Sequence, residues 1–114
     1  MTSEITRAIS IRQPFVEMIL SGKKTIEYRS RRTNIRERVY LYASLTIEKE
    51  ICEDEGLDSA ELPIGQIVGS VEIVDCTEEG ENDYEWHLAN PERIPIFLKP
   101  KNQPQPGIWR PQFQ

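Results

Sequence analysis

Apolar residues along this chain recur at two periods, and the switches between them outline its elements. Ala8-Ile9-Ser10-Ile11 alternates with period two and predicts a short first strand. Phe15, Met18 and Ile19 then fall at i, i+3 and i+4, the spacing of one helical face. Pro14 suits the first helical position, where its missing N–H costs nothing, and Gly22 suits a left-handed residue that stops the helix. Such a helix is barely two turns long, so packing against a sheet must hold it. Lys24 to Arg29 returns to alternation, with Lys24, Ile26 and Tyr28 on one face and Thr25, Glu27 and Arg29 on the other.

Ser30 to Glu37 is polar and reads as a loop, and Arg38 to Ser44 (RVYLYAS) is strongly β-prone. Thr46 to Gly56 fits a short helix through Ile47 and Ile51, and Pro63-Ile64-Gly65 has the residues of a type I turn. Gln66 to Cys76 is the longest strand candidate. Valine or isoleucine on both of its faces predicts a central, buried position, and Gly69 within it predicts a bulge or a barrel corner. Glu78 to Asp83 is acidic and reads as a loop. Tyr84 to Leu88 and Arg93 to Leu98 read as two further strands broken at Asn90-Pro91. The proline-containing tail is expected to be irregular, anchored by Ile108 and Trp109. These elements predict an α+β chain: a small mixed β-barrel of five or six mainly antiparallel strands with two or three short helices.

Composition narrows the class. At 114 residues the chain is expected to form a single domain over residues 1–114, with one core. No apolar run approaches the roughly 18–20 residues that span a bilayer, so no membrane partner is expected. Met1-Thr2-Ser3-Glu4 has no basic-then-apolar leader, and Cys52 and Cys76 form no CxxC pair, so a cytoplasmic setting with reduced thiols is expected. With His87 the single histidine, no structural zinc set can be assembled, and no metal site is assigned.

Charge redraws the picture. A net charge of −5 argues against an indiscriminate nucleic-acid binder. Yet residues 1–40 hold nine basic and four acidic residues, a net +5, while the remaining 74 carry a net −10. Such asymmetry predicts one basic face.

The candidate chemistry lies in that first segment. Lys24 and Glu27 are the tentative catalytic pair: Lys24 to hold a phosphate or carbonyl oxygen, Glu27 to act as general base or grip a base edge. On an ideal strand they point to opposite faces, so a bulge or a strand end is needed to aim both into one cleft. The alternative for Glu27 is a structural ion pair with Arg29 or a loop arginine. Lys23 and Lys24, with Arg29, Arg31, Arg32 and Arg36, offer cations to a phosphate backbone, and Arg38 extends the series. Arg12 and Gln13 stand at the start of the helix, where backbone N–H groups collect. Of Tyr28, Tyr40 and Tyr42, one is free to stack a splayed base while the others pack. Glu72, His87, Trp86 and Trp109 read as structural residues or rim anchors.

These residues form a recognisable pattern. Ser10-Ile11-Arg12-Gln13-Pro14-Phe15 followed by Gly22-Lys23-Lys24-Thr25-Ile26-Glu27-Tyr28-Arg29 resembles the opening of the ASCH (activating signal cointegrator homology) domain. Leu62 to Cys76, Asn90-Pro91, Lys99-Pro100-Lys101 and Gly107-Ile108-Trp109 are similar to its later blocks, so the resemblance covers roughly residues 8–110. It implies a PUA-like fold with a cleft lined by the Lys-x-x-Glu-x-Arg strand, in a superfamily whose members commonly bind RNA. Some members resemble nucleic-acid-binding coactivator modules. Others are small bacterial enzymes acting on RNA or acylated cytidine. The amidohydrolase members place a threonine nucleophile three residues after the pocket lysine, where this chain has Glu27. The resulting expectation is a stand-alone ASCH domain that binds RNA or single-stranded nucleic acid through a polar cleft and a basic loop. The alternative is a small enzyme, a ribonuclease or a cytidine-type amidohydrolase acting on a modified nucleoside, with a magnesium ion as cofactor if it is a nuclease. An adaptor working through the acidic second half is a third reading.

Overall fold

A computed structural model describes residues 4–113 of the chain; Met1 to Ser3, on which most of the expected absence of a leader rests, lie outside the described residues. The elements run β1 (Ala8–Gln13), α1 (Phe15–Leu20), β2 (Ile26–Arg29), β3 (Arg38–Ile47), α2 (Lys49–Asp54), a 3-10 turn (Ser59–Glu61), β4 (Gln66–Gly80), β5 (Asp83–Leu98) and β6 (Ile108–Trp109). All six strands join one sheet in the order β2-β5-β4-β3-β1-β6. Among the described residues only β1 and β3 pair in parallel; the other pairs are antiparallel. The sheet curls into a half-barrel accompanied by two helices, the small α+β architecture expected. Among the described residues no helix is long and apolar enough to cross a membrane.

The strand periodicity accounts for two separate cores. On β1 and β3, Ile9, Ile11, Val39, Leu41 and Ala43 face one side, where Val16 and Ile19 of α1 close over them. Ala8 and Tyr42 face the other, where Trp109 covers them and stacks edge-on to Tyr42 at 5.5 Å. Central β4 contributes to both through Val68, Val71 and Ile73 on one side and Ile67 on the other. Its burial on both faces follows from an interior place in the sheet. In α1 the buried residues are Val16 and Ile19, while Phe15 is only half-buried.

Three differences from the sequence expectation have physical causes. The acidic stretch from Glu78 to Asp83 is not a loop: β4 continues to Gly80 and turns through Glu81-Asn82 into β5, with Gly80 opposite Asp83. Asn82 takes φ +53°, the left-handed conformation a two-residue hairpin requires and asparagine tolerates, and the exposed tip leaves its carboxylates in water. The two strands expected around Asn90-Pro91 are one continuous β5. Register shifts opposite Ser70–Glu72 and φ +52° at Asn90 carry the strand past the interruption. β2 pairs only with Tyr84 to His87, so Pro91 and Pro95 lie on an uncovered edge, where a missing N–H breaks no ladder. Finally, β3 extends through Ile47, so α2 starts only at Lys49 and buries Cys52. A Schellman pair ends α2: Gly56 N–H donates to Glu53 and Leu57 N–H to Cys52, with Gly56 at φ +69°.

Gly69 sits where the β3–β4 and β4–β5 registers both shift. A Cβ there would lie 2.5 Å from the Glu92 carbonyl oxygen and 2.6 Å from Leu20 Cδ2. Glycine is therefore what lets α1 and β5 close on β4. Gly69→Ala is expected to lower the unfolding free energy by about 1–3 kcal/mol, the usual cost of overpacking. A urea titration checks this; an unchanged midpoint would show that the contact yields freely.

Candidate functional site

The curl of the sheet brings β2 and β1 together although three strands separate them in the ladder, and the seam between them is a cleft of about 820 Å³. Ser10, Ile11 and Arg12 of β1 form one wall with Phe15, and Glu27, Tyr28 and Arg29 of β2 form the other with Lys24. Ser44 of β3 contributes at the base, and Pro106-Gly107 of the tail close one end. The Ser44 hydroxyl oxygen is buried and has no hydrogen-bond partner among the described residues.

Lys24 and Glu27 do share this cleft. The sequence offered two ways to bring that about, and the structure uses the strand end. β2 starts only at Ile26, because the exit from α1 folds the chain back: Gly22 takes φ +86° and the Lys24 N–H donates to the Met18 carbonyl. Lys24 is thus freed from strand alternation, and its Nζ lies 3.6 Å from Glu27 Oε1. It also lies 4.9 Å from the Tyr28 ring centroid and 5.3 Å from that of Phe15, a half-buried cation between two aromatic faces. Arg29 takes the other Glu27 oxygen: Nε donates to Oε2 at 2.9 Å. Its Nη2 donates to the Ser10 carbonyl at 2.8 Å, so this guanidinium spans the seam from β2 to β1. The Arg29 plane rests 5.4 Å from the Trp86 ring, and Trp86 Nε1 donates to the Arg31 carbonyl at 2.9 Å. Side-chain exposure is 13%, 12% and 22% for Lys24, Glu27 and Arg29, low enough for the charges to bind one another firmly. The trio carries a net +1.

The expected basic face is largely neutralised. Arg12 pairs with Glu48, and Lys23 with Glu55 at 3.3 Å. Arg32 pairs with Glu78 at 3.5 Å and lies against the Tyr84 ring. Arg36 lies 4.0 Å from Asp75 and donates to the Thr33 and Ile35 carbonyls. Arg38 reaches Glu72 at 3.3 Å, Glu92 at 3.5 Å and the Ser70 hydroxyl at 2.9 Å. The charge asymmetry between the two parts of the chain is thus complementarity inside the fold. Of the nine basic residues in the first forty, Arg31 alone makes no ion pair with a described residue.

Gln13 is also placed differently from the expectation. It is 1% exposed, donates to the Pro63 carbonyl at 3.0 Å and accepts the Glu17 N–H at 3.1 Å. Its amide thereby fills the N–H position at the start of α1 that had suggested anion binding, and it is not presented to a surface ligand. Among the tyrosines, Tyr42 is buried against Trp109 and Tyr40 packs edge-on to Phe113, whereas Tyr28 is 61% exposed at the cleft mouth. Glu72 serves Arg38, and His87 shares a 2.9 Å hydrogen bond with Thr77 Oγ1; neither lines the cleft. Sequence reasoning did not assign Ser10, Ile11, Phe15, Ser30 or Ser44 to the site, nor the Pro106-Gly107 turn, which lies in a tail read as irregular.

Comparisons with known proteins bear on the family and the fold. The family model described as the ASCH domain matches residues 9–103. Among solved structures, ASCH from Zymomonas mobilis is similar at 16% identity with a TM-score of 0.65, covering 91% of this chain and 85% of that one. Two single-residue variants of the Z. mobilis protein are similar at the same identity, with TM-scores of 0.63 and 0.62, covering 91% of this chain and 88% and 86% of theirs. At that identity the likeness establishes the fold. No curated protein matches the sequence.

Arg29→Lys is expected to lower stability by roughly 1–3 kcal/mol, because an ammonium cannot bridge Glu27 and the Ser10 carbonyl in the fixed geometry of a guanidinium. Chemical denaturation measures it. A variant as stable as the parent would mean that the seam is held elsewhere.

Proposed function

This chain belongs to the ASCH domain family, and on that footing we propose that its seam cleft binds RNA or another single-stranded nucleic acid by receiving one splayed base. One observation carries the reading: Tyr28 is an exposed aromatic ring at the mouth of a polar cleft, backed by the Lys24 ammonium. Stacking on such a ring is how single-stranded bases are gripped, and each stack contributes about 1–3 kcal/mol. The cleft volume of about 820 Å³ falls within the range of small-ligand sites, room enough for a base and its sugar. Lys24 supplies a donor to a base carbonyl, and the net +1 of the Lys24–Glu27–Arg29 trio favours an electron-rich ligand edge.

Binding is the better reading than catalysis because of Glu27. Lys24 stands at one of its oxygens and Arg29 at the other, so this carboxylate is engaged as the shared partner of two cations that line the cleft. The same two cations leave it poorly suited to a magnesium ion, and among the described residues it is the one carboxylate that lines the cleft. Thr25 is exposed and outside the cleft lining, so it does not replace the absent threonine nucleophile. A cytoplasmic setting accords with this function and with two free, buried thiols, Cys52 and Cys76.

With eight of the nine early cations engaged, contact with the strand centres on the cleft and its rim. Fluorescence anisotropy with a short single-stranded RNA is the test, with gel mobility reporting whether the RNA stays intact. Tyr28→Ala is expected to weaken binding roughly fivefold to a hundredfold by loss of the stack, and Lys24→Ala to weaken it as well. The slope of log K against log salt is expected near −0.7 to −1.4, about one or two phosphates on a single strand. Unchanged affinity in both variants would sink the proposal. Cleaved RNA whose cleavage vanishes in Lys24→Ala would establish the enzyme instead.

A further inference from the structure

Beside the cleft lies a second pocket of about 450 Å³, and the two share Arg29-Ser30 and Pro106-Gly107 as walls. The two are adjacent, and Arg29 lines both. The second pocket differs from the first in charge: among the described residues no carboxylate lines it. Its polar side chains are Arg29, Ser30, Arg31 and Gln105, all of which can donate, above the Trp86 indole. Arg29 is already answered by Glu27, but Arg31 has no carboxylate within ion-pair distance among the described residues. The Arg31 backbone is nonetheless fixed, because its carbonyl accepts the Trp86 Nε1 hydrogen bond at 2.9 Å. Only the exposed guanidinium is left uncommitted. Gly107, at φ +74°, takes the left-handed conformation that glycine allows in the turn walling both pockets.

We propose that this second pocket is a phosphate subsite, in which Arg31, with Ser30 and Gln105, holds the phosphate attached to the nucleotide whose base lies in the cleft. The inference rests on the nucleic-acid reading above and sharpens it: the recognised unit is a nucleotide, not a nucleoside. Arginine suits this role because its fork matches two phosphate oxygens. Every other cation in the first forty residues faces a carboxylate, and Lys49, Lys99, Lys101 and Arg110 line neither pocket, so Arg31 is the cation this pocket offers to a single phosphate. The pocket is larger than a phosphate group and also admits part of the adjoining ribose.

The test is calorimetric titration of the protein, Arg31→Ala and Arg31→Lys with the four ribonucleosides, their 3′- and 5′-monophosphates, and a homotrinucleotide. The parent is expected to bind one monophosphate series at least fivefold more tightly than the matching nucleosides. Arg31→Ala should erase that advantage and leave nucleoside affinity unchanged, and Arg31→Lys should keep part of it. A trinucleotide tighter than the monophosphate would identify a strand as the source of the phosphate, whereas equal affinity would identify a free nucleotide. Equal binding of nucleosides and both monophosphate series would overturn the subsite, as would an advantage that survives Arg31→Ala or a loss that falls equally on nucleosides. If nucleosides bind through Tyr28 and Lys24 without a phosphate effect, the subsite alone fails. If no probe binds, the nucleic-acid reading fails and takes the subsite with it.

Discussion

The Arg29 guanidinium is the tie on which the half-barrel depends. β2 ends one side of the sheet and β1 lies near the other, so no ladder hydrogen bond joins them. Arg29 joins them through a side chain instead, with Nε on Glu27 and Nη2 on the Ser10 carbonyl. A closed ladder would have filled the seam with backbone. A side-chain bridge holds the two walls at a set distance and leaves room for a cleft. Its planar face also rests on Trp86, whose indole N–H fixes the Arg31 carbonyl, so the loop after β2 is positioned by the same group. Structure and site are therefore one arrangement, because the guanidinium that bridges the seam also contributes to the charge of the cleft.

The charge distribution shows why net values mislead. A +5 segment and a −10 remainder suggest a dipolar molecule with a basic face, but folding places the arginines against the acidic strands β4 and β5. Exposed pairs of this kind add about 0–1 kcal/mol each. Their larger consequence is subtraction: of the nine cations of the first forty residues they leave Arg31 as the exception among the described residues.

Much of this was legible in the chain. Ile9 and Ile11, then Val39, Leu41 and Ala43, announced the core through period two, and Gly69 announced the bulge where α1 and β5 close on β4. The Lys24–Glu27 pairing was legible as a need for a strand end, though not which residue would begin the strand. That was decided by the turn after Gly22, a backbone event with little side-chain signature. The length of β4 and β5 was not legible, because an exposed hairpin tip tolerates charge as readily as a loop does, and Asn82 turned it. Gln13 looked like a surface donor from its type alone. Its burial depends on the carbonyl of Pro63, fifty residues later, and no local pattern carries that.

The most direct measurement of the central claim is amide chemical-shift mapping of the labelled protein during titration with a short single-stranded RNA. The expected result is perturbation of Tyr28, Ser30 and Gly107 amides and of the Trp86 indole N–H, with the hairpin tip at Glu81–Asp83 unmoved. Perturbations confined to the hairpin tip, scattered over the surface, or absent would contradict the seam cleft as the binding site.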